Sequence, residues 1–168
     1  MSGIDFVEQN KSYAATFDQG HLEIPPTKNL IILTCIDARI DPASQLGLKL
    51  GEAHVIRNAG GVAKDAIRSI VISQRLLGTK EIAVFHHVGC GMLLFETPKL
   101  RDIVKGAAPG DAAVASAVDA IDFLEFSNVE EGVRADVEYL KNHPLVLKGS
   151  IITGWVYDVT TGKVHKVV

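Results

Sequence analysis

The chain has 168 residues, 47% of them hydrophobic, and sets 17 Lys and Arg against 20 Asp and Glu for a net charge of −3. That length suits one folded domain, residues 1–168, with a sizeable core. The lack of a basic excess or of any Lys/Arg run excludes a surface built for polyanions, so no nucleic-acid partner is expected. No stretch approaches the ~18 consecutive apolar residues that cross a bilayer, so no membrane partner is expected either.

Asp5, Glu8, Lys11 and Asp18 break up the first twenty residues, which argues against a secretory leader. Two cysteines are too few for a disulfide framework and indicate a reducing, cytoplasmic setting in which thiols serve metal binding or catalysis. Residues 2–17 fit an amphipathic helix with Phe6, Tyr13 and Phe17 along one stripe. Followed by the extended HLEIPPTKN, it makes residues 1–28 an arm that leaves the core and packs on a partner subunit.

Segments 29–35, 53–57 and 81–87 are short aliphatic runs bounded by turn residues, as in buried parallel strands, and 146–155 is a fourth. Residues 65–77 read as a helix with Ile67, Ile70, Val71, Gln74 and Leu77 on one face and Gly78 as its stop. An Ala-rich helix is expected over 111–126, after Pro109 and Gly110, and another over 129–142, stopped by Pro144. The tail GWVYDVTTGKVHKV turns about Thr160, Thr161 and Gly162 like an antiparallel hairpin at a sheet edge. Strands alternating with helices give an α/β class with a parallel sheet.

The two cysteines stand where apolar runs end. In LIILTCIDARID, residues 30–41, Cys35 closes the first strand; in IAVFHHVGCGM, residues 82–92, His87 closes the third and Cys90 follows in the loop. If the second strand pairs outside the first, strands one and three are neighbours and their exits flank the switch point where open α/β sheets bind ligands. Two thiolates and an imidazole suit Zn²⁺ with a fourth position open. Taken alone, H-x-x-C is balanced by a plainer reading, a buried cysteine beside a capped histidine. Asp37 and Arg39 add to the metal reading, because they lie on one side of an extended segment and the guanidinium can hold the carboxylate in a bidentate pair that orients a nucleophile. RNAGG, residues 57–61, serves equally as a strand-to-helix turn or as a wall of the site. His86 faces away from His87 and reads as a packed residue or one that supports a ligand rather than as a ligand itself, and His21, His54, His143 and His165 have no evident partner. No G-x-S-x-G, P-loop or G-x-G-x-x-G pattern occurs.

C-x-D-x-R at Cys35, Asp37 and Arg39, H-x-x-C at His87 and Cys90, the intervening RNAGG and the closing GWVYDVTTGKV together resemble the β-class carbonic anhydrases. The short chain, CIDAR and HHVGCGM are most similar to a compact branch that includes carbonyl sulfide hydrolases, with Ala38 where many members have Ser and His86 where many have Gly. The resemblance implies a three-layer, mostly parallel sheet with an antiparallel C-terminal edge strand and an N-terminal helical arm. It further implies one Zn²⁺ per chain on Cys35, His87 and Cys90, with Asp37 and Arg39 as the catalytic pair. Homodimers or homotetramers with sites at the subunit interface are implied as well. The implied reaction adds hydroxide to a small linear heteroallene: CO2 giving bicarbonate or, as the alternative, carbonyl sulfide giving CO2 and H2S. Outside that class stand a metal-free thiol redox sensor or binding module, and a structural zinc without turnover.

Overall fold

The structure is a computed structural model that describes residues 3–168, so the expected arm helix begins at a residue, Ser2, that lies outside the described ones. The elements in chain order are α1 (Phe6–Ala14), β1 (Leu30–Cys35), α2 (Pro42–Leu46), β2 (Ala53–Asn58), α3 (Ala63–Leu77), β3 (Glu81–His87), α4 (Thr97–Ala107), α5 (Ala112–Asp119), α6 (Val129–Asn142), β4 (Ile151–Tyr157) and β5 (Val164–Lys166). They build one five-stranded sheet in the order β2-β1-β3-β4-β5, parallel throughout except for the antiparallel β4–β5 edge.

The strand sequences account for that arrangement. LIILTC of β1 and EIAVFHH of β3 do not alternate apolar with polar, so each needs cover on both faces, and both are buried almost end to end. One face carries Ile31, Leu33, Ile82 and Val84 against Ala63, Ala66 and Ile70 of α3 and Val137 and Leu140 of α6. The other carries Ile32, Ala83 and Phe85 against Leu46 of α2, Leu48 and Trp155, with the Phe85 and Trp155 rings stacked 5.9 Å apart. The sheet is thus the middle of three layers, as the resemblance implied.

Helix ends follow from local chemistry. Asn128 caps α6 by accepting the Glu131 N–H, acidic residues fill its first turn and Lys141 its last, all favourable to the helix dipole. Gly78 ends α3 in the left-handed region at φ 75°. The buried face of α3 centres on Ala63, Ala66, Ile70, Ser73 and Gln74, rotated from the expected stripe, because Ser73 finds Thr79 and His54 as partners and Gln74 finds Leu147 and Ser150.

Several expected boundaries move. β4 begins at Ile151 rather than 146, since Leu147 donates its N–H to Gln74 and Ser150 turns back on Leu147. The Ala-rich helix stops at Asp119, not 126: Arg101 takes the carbonyls of Asp119 and Ile121, Leu124 adopts φ 58°, and Glu125 accepts from the backbone and hydroxyl of Thr97. The short α2 and the polar α4 carry too few buried residues to leave an apolar period in the sequence. α1 spans Phe6–Ala14, capped by Asp5, and buries none of its residues; Phe6, Tyr13 and Phe17 are exposed.

β4 touches α6 most closely at Gly154, where a Cβ would lie 2.4 Å from Val133 Cγ1 and 3.0 Å from Val137 Cγ2. Gly154→Ala is expected to destabilise the fold by about 1–3 kcal/mol in urea unfolding. Adding Val133→Ala should leave the double variant less destabilised than the sum of the two single changes, because the new methyl fills the space that Val133 vacates.

Candidate active site

With β2 outside β1, the strands β1 and β3 pair directly, Thr34 opposite Phe85, and leave the sheet side by side. Cys35 is the last residue of β1 and His87 the last of β3, and the Val88–Gly89 turn brings Cys90 back toward both. The three side chains are buried, and one ligand atom from each lies within 4.8 Å of the others. The sulfurs of Cys35 and Cys90 are 4.0 Å apart, in thiol contact without a disulfide. His87 donates from Nδ1 to the Val88 carbonyl at 3.1 Å. That bond fixes the tautomer, and leaves a buried Nε2 that has no hydrogen-bond partner.

The hydrogen bond from the Cys90 thiol is the largest influence on Cys35 and pushes its pKa down against the effect of burial, with His87 and the Gly60 N–H helping. Cys90 is pushed up by the same contact and by burial.

Asp37 and Arg39 stand beside this cluster in the expected fork. Arg39 donates from Nε to Oδ1 at 2.9 Å, from Nη2 to Oδ2 at 2.6 Å, and from its backbone N–H to Oδ1 at 2.9 Å. Those donors, the side chain foremost, hold the Asp37 carboxyl well below the usual carboxylate range. Oδ2 lies 3.7 Å from His87 Nε2, and Arg39 also reaches the Gly89 carbonyl at 3.2 Å, so the fork is anchored to the Cys90 loop.

The RNAGG segment is both a turn and a wall. Arg57 donates to the carbonyls of Cys35 at 3.0 Å and Asp37 at 2.8 Å, clamping the chain on either side of Ile36. Asn58 closes the turn on Val62 through both atoms of its amide. Gly60 and Gly61 sit at φ 82° and 73°, and the Gly60 N–H donates to Cys35 Sγ at 3.3 Å. Ile40, Met92, Tyr157, Phe95 and Phe126 pack around the two cysteines and keep the inner side of the cluster apolar.

Comparison with known proteins matches this geometry to a family. The carbonic anhydrase family model matches residues 30–164. The chain is 42% identical over 164 residues to beta-carbonic anhydrase 1 of Mycobacterium tuberculosis, covering 97% of this chain and 96% of that protein. It belongs to the β-carbonic anhydrase family. A carbonic anhydrase structure from Glaciozyma antarctica superimposes with a TM-score of 0.93 at 47% identity, over 98% of this chain and 96% of that one. A carbon disulfide hydrolase from an Acidianus strain is 37% identical over 161 residues, covering 85% of this chain and 79% of that protein.

β-Carbonic anhydrases are zinc enzymes, and the donors here fit that ion. Two sulfurs on a tetrahedral zinc with bonds of ~2.3 Å stand ~3.8 Å apart, close to the 4.0 Å between Cys35 and Cys90. The partnerless Nε2 of His87 could supply a third donor, and such a set would leave one position open.

The clamp of Arg57 on the main chain, the Gly60 N–H bond to Cys35 and the pairing of His86 with Asp136 are contacts that residue patterns did not assign. Asp136 did leave a signal: it interrupts the apolar stripe of Val133, Val137 and Leu140 on α6, where an acid needs a buried donor.

Gly61 is wedged where a Cβ would lie 2.9 Å from both the Phe85 carbonyl oxygen and the Thr34 carbonyl carbon, at a left-handed φ. Gly61→Ala is therefore expected to cost at least about 2 kcal/mol in denaturant unfolding. It should also weaken metal uptake in a chelator competition, since the backbone it strikes leads directly into Cys35 and His87.

Proposed function

We propose that this chain catalyses the reversible hydration of CO2 to bicarbonate, with one zinc ion per chain on Cys35, His87 and Cys90 and with Asp37 and Arg39 as the catalytic pair. The observation that carries the reading is the buried cluster of three donors, one of them the partnerless Nε2 of His87, with a fixed carboxylate 3.7 Å away. When bound, zinc supplies a Lewis acid that makes hydroxide available near neutral pH.

The protein's residues do the rest. Asp37, kept ionised by Arg39, can only accept hydrogen bonds, so a nucleophilic water must turn a hydrogen toward it and its lone pair away, toward substrate carbon. Arg39 gives up no proton; it spends its donors on Asp37 and Gly89 and fixes the carboxylate in rotation. Arg57 holds the main chain that carries both Cys35 and Asp37, so the thiol and the carboxylate move as one body. The apolar packing from Met92 and Phe126 suits a small uncharged substrate and releases a charged product to water.

A second reaction in the same site is supported by the likeness to a carbon disulfide hydrolase. Carbonyl sulfide has the same electrophilic central carbon, and adding water yields a thiocarbonate that breaks down to CO2 and H2S. CO2 is placed first because the β-carbonic anhydrase relative matches at higher identity over nearly the whole chain.

The working form we propose is a homodimer or homotetramer in the cytoplasm. Two free buried thiols suit a reducing compartment, and among the described residues no helix is long and apolar enough to cross a membrane. Ile4, Phe6 and Val7 are each at least two-thirds exposed in and just before α1, a helix that buries none of its residues, so a second copy is the natural cover.

Metal analysis of the purified protein should give one zinc per chain, lost in Cys90→Ser. Asp37→Ala should keep the zinc and lower kcat/KM for CO2 hydration by roughly a hundredfold or more. A folded, zinc-free wild type with titratable thiols would replace this reading with the redox-sensor alternative; full activity in Asp37→Ala would remove the carboxylate from the mechanism. Proton release from CO2 and H2S release from carbonyl sulfide, assayed on one sample, should favour CO2, and a strong preference for carbonyl sulfide would reverse the order. Light scattering should find at least a dimer, and deletion of residues 1–14 should reduce the assembly.

A further inference from the structure

Asp136 is an acid in a core position, 8% exposed among Val133, Val137 and Leu140, and both of its oxygens are engaged. Oδ1 accepts the N–H of Ala63, the first residue of α3, at 3.1 Å; Oδ2 lies 2.9 Å from His86 Nε2. His86 is 1% exposed and its ring lies against Phe126, with centroids 4.7 Å apart and planes 20° from parallel. Its Nδ1 has no partner and is crowded by Gly132, where a Cβ would come within 3.1 Å. Only one tautomer suits this pocket: Nε2–H donates to Asp136, while the reverse would strand an N–H against Gly132 and turn a lone pair on a carboxylate.

One carboxylate therefore ties the end of β3, the middle of α6 and the start of α3 together. Only residues 59–62 separate that tied point from the end of β2, and within them lies Gly60, whose N–H donates to Cys35 Sγ at 3.3 Å. Phe126 and Met92 close on Gly60 from the other side, 3.2 and 2.9 Å from where its Cβ would be. The loop is thus held at one end by Asp136 and from the side by the ring that His86 supports.

We propose that His86 and Asp136 are positioning residues that aim the Gly60 N–H at the Cys35 sulfur. The inference rests on reading Cys35, His87 and Cys90 as the metal donors. A donor hydrogen bond draws electron density from a thiolate, so the strut makes Cys35 a weaker donor and leaves the metal a stronger Lewis acid.

The test replaces zinc with Co²⁺ and reads the sulfur-to-cobalt charge-transfer band. Amide hydrogen exchange at Gly60 is followed in the metal-free protein. Asp136→Asn keeps an oxygen for Ala63 but sets an N–H against His86, and Phe126→Leu removes the lateral support without touching Asp136. Both should shift the band to longer wavelength and speed exchange at Gly60. Lys28→Ala, which breaks only the Lys28–Glu52 pair ahead of β2, should change none of these. Bands and Gly60 exchange that match wild type in both variants would overturn the strut, as would an equal shift in Lys28→Ala, which would report general loosening. A wild type that takes up no Co²⁺ would instead overturn the metal reading, and Gly60 exchange in the metal-free variants would still decide the strut.

Discussion

Every feature of the site depends on the direct parallel pairing of β1 with β3. Cys35 and Cys90 are 55 residues apart in the chain, yet their sulfurs come within 4.0 Å because two neighbouring strands end at the same edge. A β2 inserted between them would part the exits by another strand spacing, roughly 5 Å, and no loop rearrangement of a residue or two would restore a common centre. Buried sulfurs and a buried ring nitrogen without a partner do not stabilise a fold by themselves. The arrangement is imposed by the sheet, and the metal-binding capacity is what that imposition provides.

The charges around the cluster are matched with the same economy. Two thiolates and the Asp37 carboxylate would face a divalent ion and the Arg39 guanidinium, a balance that leaves the centre neutral overall. A neutral centre holds no anionic product strongly, which suits a reaction that turns an uncharged molecule into bicarbonate. Arg39 is central to that balance because a carboxylate this close to two sulfurs would otherwise be repelled or would turn toward the metal position; its fork holds both oxygens and Gly89 holds the fork. Arg57 adds a second guanidinium, which is bound to carbonyls rather than to the acid and serves the backbone.

Much of this was legible from residues alone, for identifiable reasons. Buried parallel strands declare themselves as unbroken aliphatic runs, so β1 and β3 fall within one residue of their expected limits; β2 does so too, but it lies at the sheet edge with no buried residue rather than being the buried strand expected. The spacing of Cys35, Asp37, Arg39, His87 and Cys90 likewise survives into space, since each stands at or just beyond a strand end. What was not legible depends on partners distant in sequence. The end of α5 is set by Arg101, the start of β4 by Gln74, and the start of α3 by Asp136, each a side chain reaching across many residues to take a backbone group. The apolar period of an Ala-rich segment could not reveal that residues 121–126 leave the helix, because alanine tolerates the helix whether or not tertiary contacts continue it.

That departure from helix has a consequence for the site. Once the chain leaves α5 at Asp119, residues 121–126 run as irregular chain tied to α4, with Lys64 taking Asp122 and Thr97 taking Glu125, and deliver Phe126 between His86 and Gly60. In the proposed reaction the donor set and the Asp37–Arg39 fork would act on the central carbon that CO2 and its sulfur analogues share, so one core would serve either substrate. Discrimination must then come from groups that meet the terminal atoms, which in a site at the edge of a parallel sheet are carried by the loops beyond the strands and by segments packed against them. The stretch that brings Phe126 into place is such a segment. It is held by side-chain contacts with Arg101, Lys64 and Thr97 rather than by helix geometry, so a change there would leave undisturbed the sheet that positions the candidate metal donors.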